Sequence, residues 1–259
     1  MARVAPRVPE LSEILCSQCG YVLNGLPESG NCPECGKPIA DSVGVERTPP
    51  LWESASAGKK AQGFLRTSIE IILRPAKFYR TFTVRGPLDA SRQFAHWHWW
   101  IASGLFAIAG ATHAVWYTYV AAPSTRVATG SAGAMFMGLV IALTIGSYLC
   151  LDGITRLAGW LTTWEATYRG LRLPYEIVLR GMYYHAAHYL PVALGAVITT
   201  VGYQIILALP HTFAIIDQFV QFNSPTIYLY ILSAQVVISA IYLFTTYWTG
   251  MRNMMYANR

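Results

Sequence analysis

The sequence predicts a mainly α fold: a polytopic bundle of four transmembrane helices behind a small, cysteine-bearing N-terminal domain of short β-hairpins. Three observations predict it. Of 259 residues, 54% are hydrophobic and only 12% charged, about half the charge of an ordinary soluble domain. Four uncharged apolar runs are each about as long as the roughly 20 residues that cross a 30 Å hydrocarbon core. Four of the five cysteines fall in two Cys-x-x-Cys-Gly segments near the N-terminus. So little charge cannot solvate a soluble two-domain protein, and disorder requires the opposite composition, low hydrophobicity with high net charge.

The N-terminal element, residues 1–40, is built on Cys16-Ser17-Gln18-Cys19-Gly20 and Cys32-Pro33-Glu34-Cys35-Gly36. Two thiolates at this spacing can share one cation, and the following glycine accepts the positive φ that turns backbone N–H groups toward the sulfurs. Two such knuckles supply Cys16, Cys19, Cys32 and Cys35 as the four ligands of one structural Zn2+. A segment this short cannot stabilise itself by burial; structural zinc contributes on the order of 10–16 kcal/mol. Disulfides are the competing reading, opposed by the reducing compartment that the orientation below implies. A thioredoxin-like pair lacks its βαβ context and has no use for a second pair. Four sulfurs leave no open position for a substrate. Cys150, alone at the end of an apolar run, reads as a small buried side chain.

Residues 41–63, with Pro49-Pro50 and a Ser/Ala/Gly run, read as a flexible linker. Residues 64–96 read as interfacial amphipathic helices. Leu65, Ile69, Ile72 and Leu73 share one face opposite Arg66, Glu70 and Arg74, and Pro75 ends one helix and opens the next. Residues 59–92 are rich in Lys and Arg, so anionic lipid headgroups are the expected partner.

The transmembrane domain, residues 97–259, carries spans at about 97–119, 131–151, 189–209 and 226–249. Trp97, Trp99, Trp100, Trp116, Tyr117 and Tyr119 crowd the first and Tyr247 and Trp248 the last, as expected of an aromatic belt. Lys and Arg number twelve before span 1, one after it (Arg126), four between spans 2 and 3, none between spans 3 and 4 and two after span 4. The positive-inside rule then puts both termini in the cytoplasm, in a multi-pass protein of the cell (inner) membrane. Met1 to Glu13 has no apolar core of a signal peptide. A fifth span over Glu176–His188 is opposed by Glu176 and Arg180. Between spans 2 and 3, Ile154, Leu157, Leu161, Trp164, Tyr168 and Leu171 form a second interfacial stripe opposite Arg156, Glu165, Arg169 and Arg172; for this stripe and for residues 64–74, packing on the ends of the spans is the competing reading. In span 2, Gly130, Ala134, Gly138, Ala142 and Gly146 recur every four residues. That spacing lets a neighbouring helix approach closely, within the chain first and in a homo-oligomer second, with Gly110 and Ala114 of span 1 as a counterpart.

The ribbon segment, Cys16-Ser-Gln-Cys19-Gly-Tyr-Val-Leu-Asn-Gly-Leu-Pro and Cys32-Pro-Glu-Cys35-Gly, resembles a rubredoxin-like zinc ribbon. Arg74-Pro75-Ala76-Lys77-Phe78-Tyr79 and the Tyr183–Pro191 segment are similar to the bacterial Yip1-type membrane domain. That resemblance implies a multi-pass, non-enzymatic membrane protein; eukaryotic members act in vesicle trafficking. It carries over no catalytic residue, only the four ribbon cysteines.

Histidine is where an active site would hide. His185 and His188, i and i+3, could share a helical face and hold a second metal with a third ligand. No carboxylate lies within a span to serve as base, and no His-Glu-x-x-His, phosphate loop or nucleophile elbow occurs. The expected function is therefore a membrane adapter or scaffold with a cytoplasmic protein partner on the ribbon. The alternative is an intramembrane metal-dependent enzyme or metal and solute handler using His185 and His188. Nucleic acid is not expected, because Arg3, Arg7 and Lys37 face four glutamates in residues 1–40.

Overall fold

A computed structural model describes residues 9–10, 12–43, 47–118, 132–208 and 225–258. Arg3, Arg7, Tyr119, Arg126 and Gly130, named above, lie outside the described residues. The fold is mostly helical: α1 Ala40–Val43, α2 Leu51–Ser54, a 3-10 turn Ala57–Lys59, α3 Lys60–Leu73, α4 Pro75–Thr81, α5 Leu88–Trp116, α6 Ala132–Tyr168, α7 Tyr175–His185, α8 Tyr189–Ala208 and α9 Pro225–Met254. Among the described residues three helical stretches are long and apolar enough to cross a membrane: Ala132–Tyr168, Tyr175–Ile206 and Tyr228–Met254. α5 holds the first expected span. It is long enough, but His98, His113 and its tryptophans make it less apolar than those three.

The chain divides into two compact units. The first comprises Met1–His96, Gly153–Ala187 and Thr245–Arg259. Its core is aromatic. Phe78 stacks on Phe82 with centroids 5.2 Å apart, Tyr184 meets Phe94 at 5.1 Å, and Trp52 meets Phe64 at 5.8 Å. Residues 47–63, expected as a linker, carry α2 and the start of α3 instead. Trp52 is buried, its backbone N–H donates to Thr67 Oγ1 (3.0 Å) and its indole to the Ala90 carbonyl (2.7 Å). Gly63 permits this packing, because a Cβ there would lie 2.8 Å from the Leu51 carbonyl oxygen.

α3 packs through Gly63, Thr67, Ser68 and Ile71 and leaves Leu65, Ile69 and Leu73 exposed, Leu73 by 72%. The apolar stripe read from the sequence is thus the outward face. The second stripe behaves alike: Ile154, Leu157, Leu161, Trp164 and Tyr168 are exposed. It forms no separate helix but continues span 2 in the single helix α6 of 37 residues. Apolar residues run through the whole segment without a breaker until Gly170. There φ is +74°, Leu171 N–H donates to the Ala166 carbonyl (2.8 Å), and Gly170 N–H donates to that of Thr167 (3.1 Å). This is a Schellman stop. Glu176–His188 is not a separate candidate; it opens the candidate stretch Tyr175–Ile206.

Arg180 on α7 is 1% exposed. It pairs with Glu53 of α2 at 2.7 Å and donates to the carbonyls of Thr83 (3.1 Å) and Pro87 (2.8 Å), while Tyr184 Oη donates to the same carboxylate. A buried guanidinium survives only with its donors satisfied, and here a carboxylate and two carbonyls do that.

The second unit, Trp97–Asp152 and His188–Phe244, packs long helices by ring stacking and polar contacts. Trp100 stacks on Tyr148 (4.5 Å) and Tyr203 on Tyr228 (4.5 Å). Gln235 of α9 accepts from Thr199 of α8 (3.4 Å). Such contacts hold helices together where lipid offers no hydrophobic gain. Gly110 approaches Leu143, not the predicted small-residue stripe. Ala134, Gly138, Ala142 and Gly146 all face outward, and a Cβ added at Gly138 or Gly146 would meet nothing within 4 Å. Among the described residues the stripe is therefore not the seam within this unit; larger side chains fill that role on the other face of α6.

Candidate metal centre

The two knuckles are built as repeats. Cys16 N–H donates to the Tyr21 carbonyl (2.8 Å) and Gly20 N–H to that of Cys16 (2.9 Å). Sixteen residues on, Cys32 N–H donates to Lys37 (2.7 Å) and Gly36 N–H to Cys32 (2.9 Å). Gly20 and Gly36 stand at φ +79° and +73°, a region that disfavours any side chain. The expected short hairpins are reduced to single antiparallel bridges, Leu15 with Val22 and Asn31 with Pro38, and no strand forms among the described residues. Each knuckle turns too tightly for a ladder to extend.

These turns bring the sulfurs of Cys16, Cys19, Cys32 and Cys35 within 4.8 Å of one another. Cys16 and Cys35 are 3.6 Å apart, as are Cys19 and Cys32. A tetrahedral ion with metal–sulfur bonds of about 2.3 Å sets sulfurs about 3.8 Å apart, so the cluster fits a tetrahedral metal. Leu23 and Ile39 form a small buried core beneath it. Burial opposes the Cys16 thiolate, but the backbone N–H groups of Cys19 and Gln18 outweigh it and bring its pKa down to about 6. Burial, together with the hydrogen bonds it shares with the other three thiols, pushes Cys19 up to about 12. The first thiolate is therefore Cys16, and a dication completes the deprotonation of its neighbours.

What fixes this small domain in place lies far from it in the chain. Asn258 Oδ1 accepts from Leu15 N–H (2.7 Å), and Asn258 Nδ2 donates to the carbonyls of Leu15 (2.8 Å) and Ser42 (2.9 Å). Arg172, expected on a solvated helix face, is 4% exposed. It donates to the carbonyls of Glu10 (2.7 Å), Glu13 (2.6 Å) and Ala257 (2.9 Å). The Tyr256 ring lies against Gly20, where a Cβ would collide with it. The C-terminal tail, more than 200 residues away in sequence, is thus a wall of the ribbon.

His185 and His188 each have a hydroxyl partner of their own. His185 Nε2 is 3.2 Å from Thr246 Oγ1 in the first unit, and His188 Nδ1 is 2.8 Å from Tyr242 Oη in the second. The four cysteines are the one group placed to hold a metal among the described residues. Cys150 is exposed on α6 and not buried as expected. No family model matches the chain, and no curated protein or solved structure is significantly similar to it.

Proposed function

We propose that the protein is a non-enzymatic, multi-pass membrane adapter whose cytoplasmic zinc ribbon presents a rigid surface to a protein partner. The observation that carries this reading is a closed, four-sulfur cluster locked onto the rest of its unit by Asn258 and Arg172. Four sulfurs saturate a zinc ion and leave it nothing to do but hold shape. Tyr21, exposed on the first knuckle, is the type of residue enriched in interfaces. In this reading α5 is a fourth span, consistent with the exposure of Trp97, Trp100, Ile101 and Ile108. Both termini face the cytoplasm of the cell (inner) membrane. α3 lies on anionic headgroups, with Leu65, Ile69 and Leu73 in the acyl boundary beside Lys59, Arg66 and Arg74. The resemblance to Yip1-type domains agrees with a role in trafficking or membrane organisation.

Co-purification from native membranes in mild detergent, wild type beside Cys32→Ser with metal measured on the same samples, tests this. The expected result is a partner held only by the intact ribbon at one zinc per chain. Retention of every partner by Cys32→Ser chain that stays in the membrane would overturn it. The alternative, a metal-dependent enzyme or handler at His185 and His188, requires a second ion per chain that is lost in His185→Ala/His188→Ala.

A further inference from the structure

A cleft of about 1200 Å³ opens within the first unit, walled by the ribbon, by the segment after α4 and by the end of α9. Six basic side chains line it against two acidic ones, Glu13 and Asp41. Arg169 is already paired with Glu165 at 2.6 Å. The other five are Lys37, Arg47, Arg80, Arg85 and Arg252, and among the described residues no carboxylate pairs with any of them. Their partners are neutral. Lys37 donates to Ser17 Oγ (2.8 Å), Arg80 to Asn253 Oδ1 (3.4 Å), and Arg47 to the carbonyls of Tyr79 (3.2 Å), Phe82 (3.2 Å) and Asn253 (3.3 Å).

We propose that this cleft binds a phosphate-bearing anion, with Arg80, Arg85 and Arg252 as its forks. Concave walls that carry one sign of charge focus the field and concentrate counter-ions. The guanidinium fork matches two phosphate oxygens at once, which a lysine cannot do. Burial pulls Arg47 down to about 10, still protonated at neutral pH. Burial and then the charge of Arg85 lower Arg172 behind the cleft, with Glu13 opposing. The volume admits a lipid headgroup or a nucleotide-sized phosphate ester. Trp248 and Thr249 line the cleft on α9, itself a candidate membrane-crossing helix, so a headgroup could enter from the bilayer. The site does not depend on whether the ribbon recruits a protein.

The test uses full-length, metal-loaded protein in a neutral detergent, titrated calorimetrically with dihexanoyl phosphatidate, inorganic phosphate and, as control, dihexanoyl phosphatidylcholine. Wild type is compared with Arg80→Gln/Arg252→Gln and with the charge-matched Lys77→Gln/Arg156→Gln, whose residues are exposed outside the cleft. The expected result is phosphate-probe binding at least roughly tenfold weaker in the first double variant and unchanged in the second, with probe-free melting unaltered. Arg85→Gln, also at an exposed position, gives the same reading should the double variant melt early. Phosphatidate preferred over phosphate by at least roughly tenfold assigns a lipid headgroup, and equal affinity assigns a soluble phosphate ester. Absence of binding to wild type, equal loss in both charge-matched variants, or wild-type affinity in the cleft variants would overturn the proposal.

Discussion

Asn258 grips Leu15 from both sides. Its side-chain amide accepts the Leu15 N–H at 2.7 Å and donates to the Leu15 carbonyl at 2.8 Å, as a neighbouring strand would. The four-cysteine domain and the chain around Asn258 are thereby one structure. Asn258→Ala removes both bonds and leaves a part-buried N–H and C=O to find water, at a cost of about 1–3 kcal/mol. The expected outcome is faster hydrogen exchange at the Leu15 amide. The Leu23 amide, held by the Ile14 carbonyl inside the ribbon, keeps its protection.

Metal affinity should fall on acidification. Between pH 7 and 8 Cys16, at about 6, is a thiolate in the metal-free cluster, while Cys19, at about 12, is protonated. Binding therefore releases protons, and mass action weakens it as pH falls. Below about 6 Cys16 is protonated too, which adds one more proton to displace and steepens the loss. Competition with a chromophoric chelator at pH 5.5 and 7.5 checks this. At the higher pH, Cys32→Ser should lose more than the roughly 100-fold that an outer-shell substitution costs.

Glu53 is the counter-charge of a guanidinium that water does not reach. Glu53→Gln should destabilise the protein by about 3–5 kcal/mol, since the buried charge loses its partner. Replacing both members, Glu53→Leu with Arg180→Met, should cost less than the single change. Thermal melting of the three variants in one detergent checks the order.

Two glycines in helices should answer oppositely to alanine. At Gly63 the new methyl meets the Leu51 carbonyl oxygen at 2.8 Å and Ala55 Cβ at 2.9 Å, so Gly63→Ala should lower stability by about 1–3 kcal/mol through overpacking. At Gly138 it meets nothing within 4 Å, and Gly138→Ala should leave the melting temperature unchanged or raise it, since alanine is the better helix former.

The four-cysteine cluster was legible in the sequence because its geometry is local. Two Cys-x-x-Cys-Gly turns close on themselves, and their φ values follow from glycine. The apolar face of α3 was legible for the same reason, as helical period alone groups Leu65, Ile69 and Leu73. The period could not say which side of the helix is covered. Small polar Thr67 and Ser68 pack inward because Trp52 and α2 come close over Gly63, and that approach is written in no single segment. The small-residue stripe of α6 failed likewise: its spacing permits close approach but does not oblige a neighbour to take it.

Composition, apolar run length and cysteine spacing by themselves determined a helical chain with stretches long and apolar enough to cross a membrane and a four-cysteine cluster, since each depends on residues near one another in the chain. The tertiary structure decided the rest. It buried Arg172 and Arg180, turned residues 47–63 into part of a core, made Asn258 a wall of the ribbon, and gathered Lys37, Arg47, Arg80, Arg85 and Arg252 around one cleft. Those arrangements join residues tens to hundreds of positions apart. A long-range contact is selected by the packing of the whole unit, because only there can the entropy of closing so large a loop be offset.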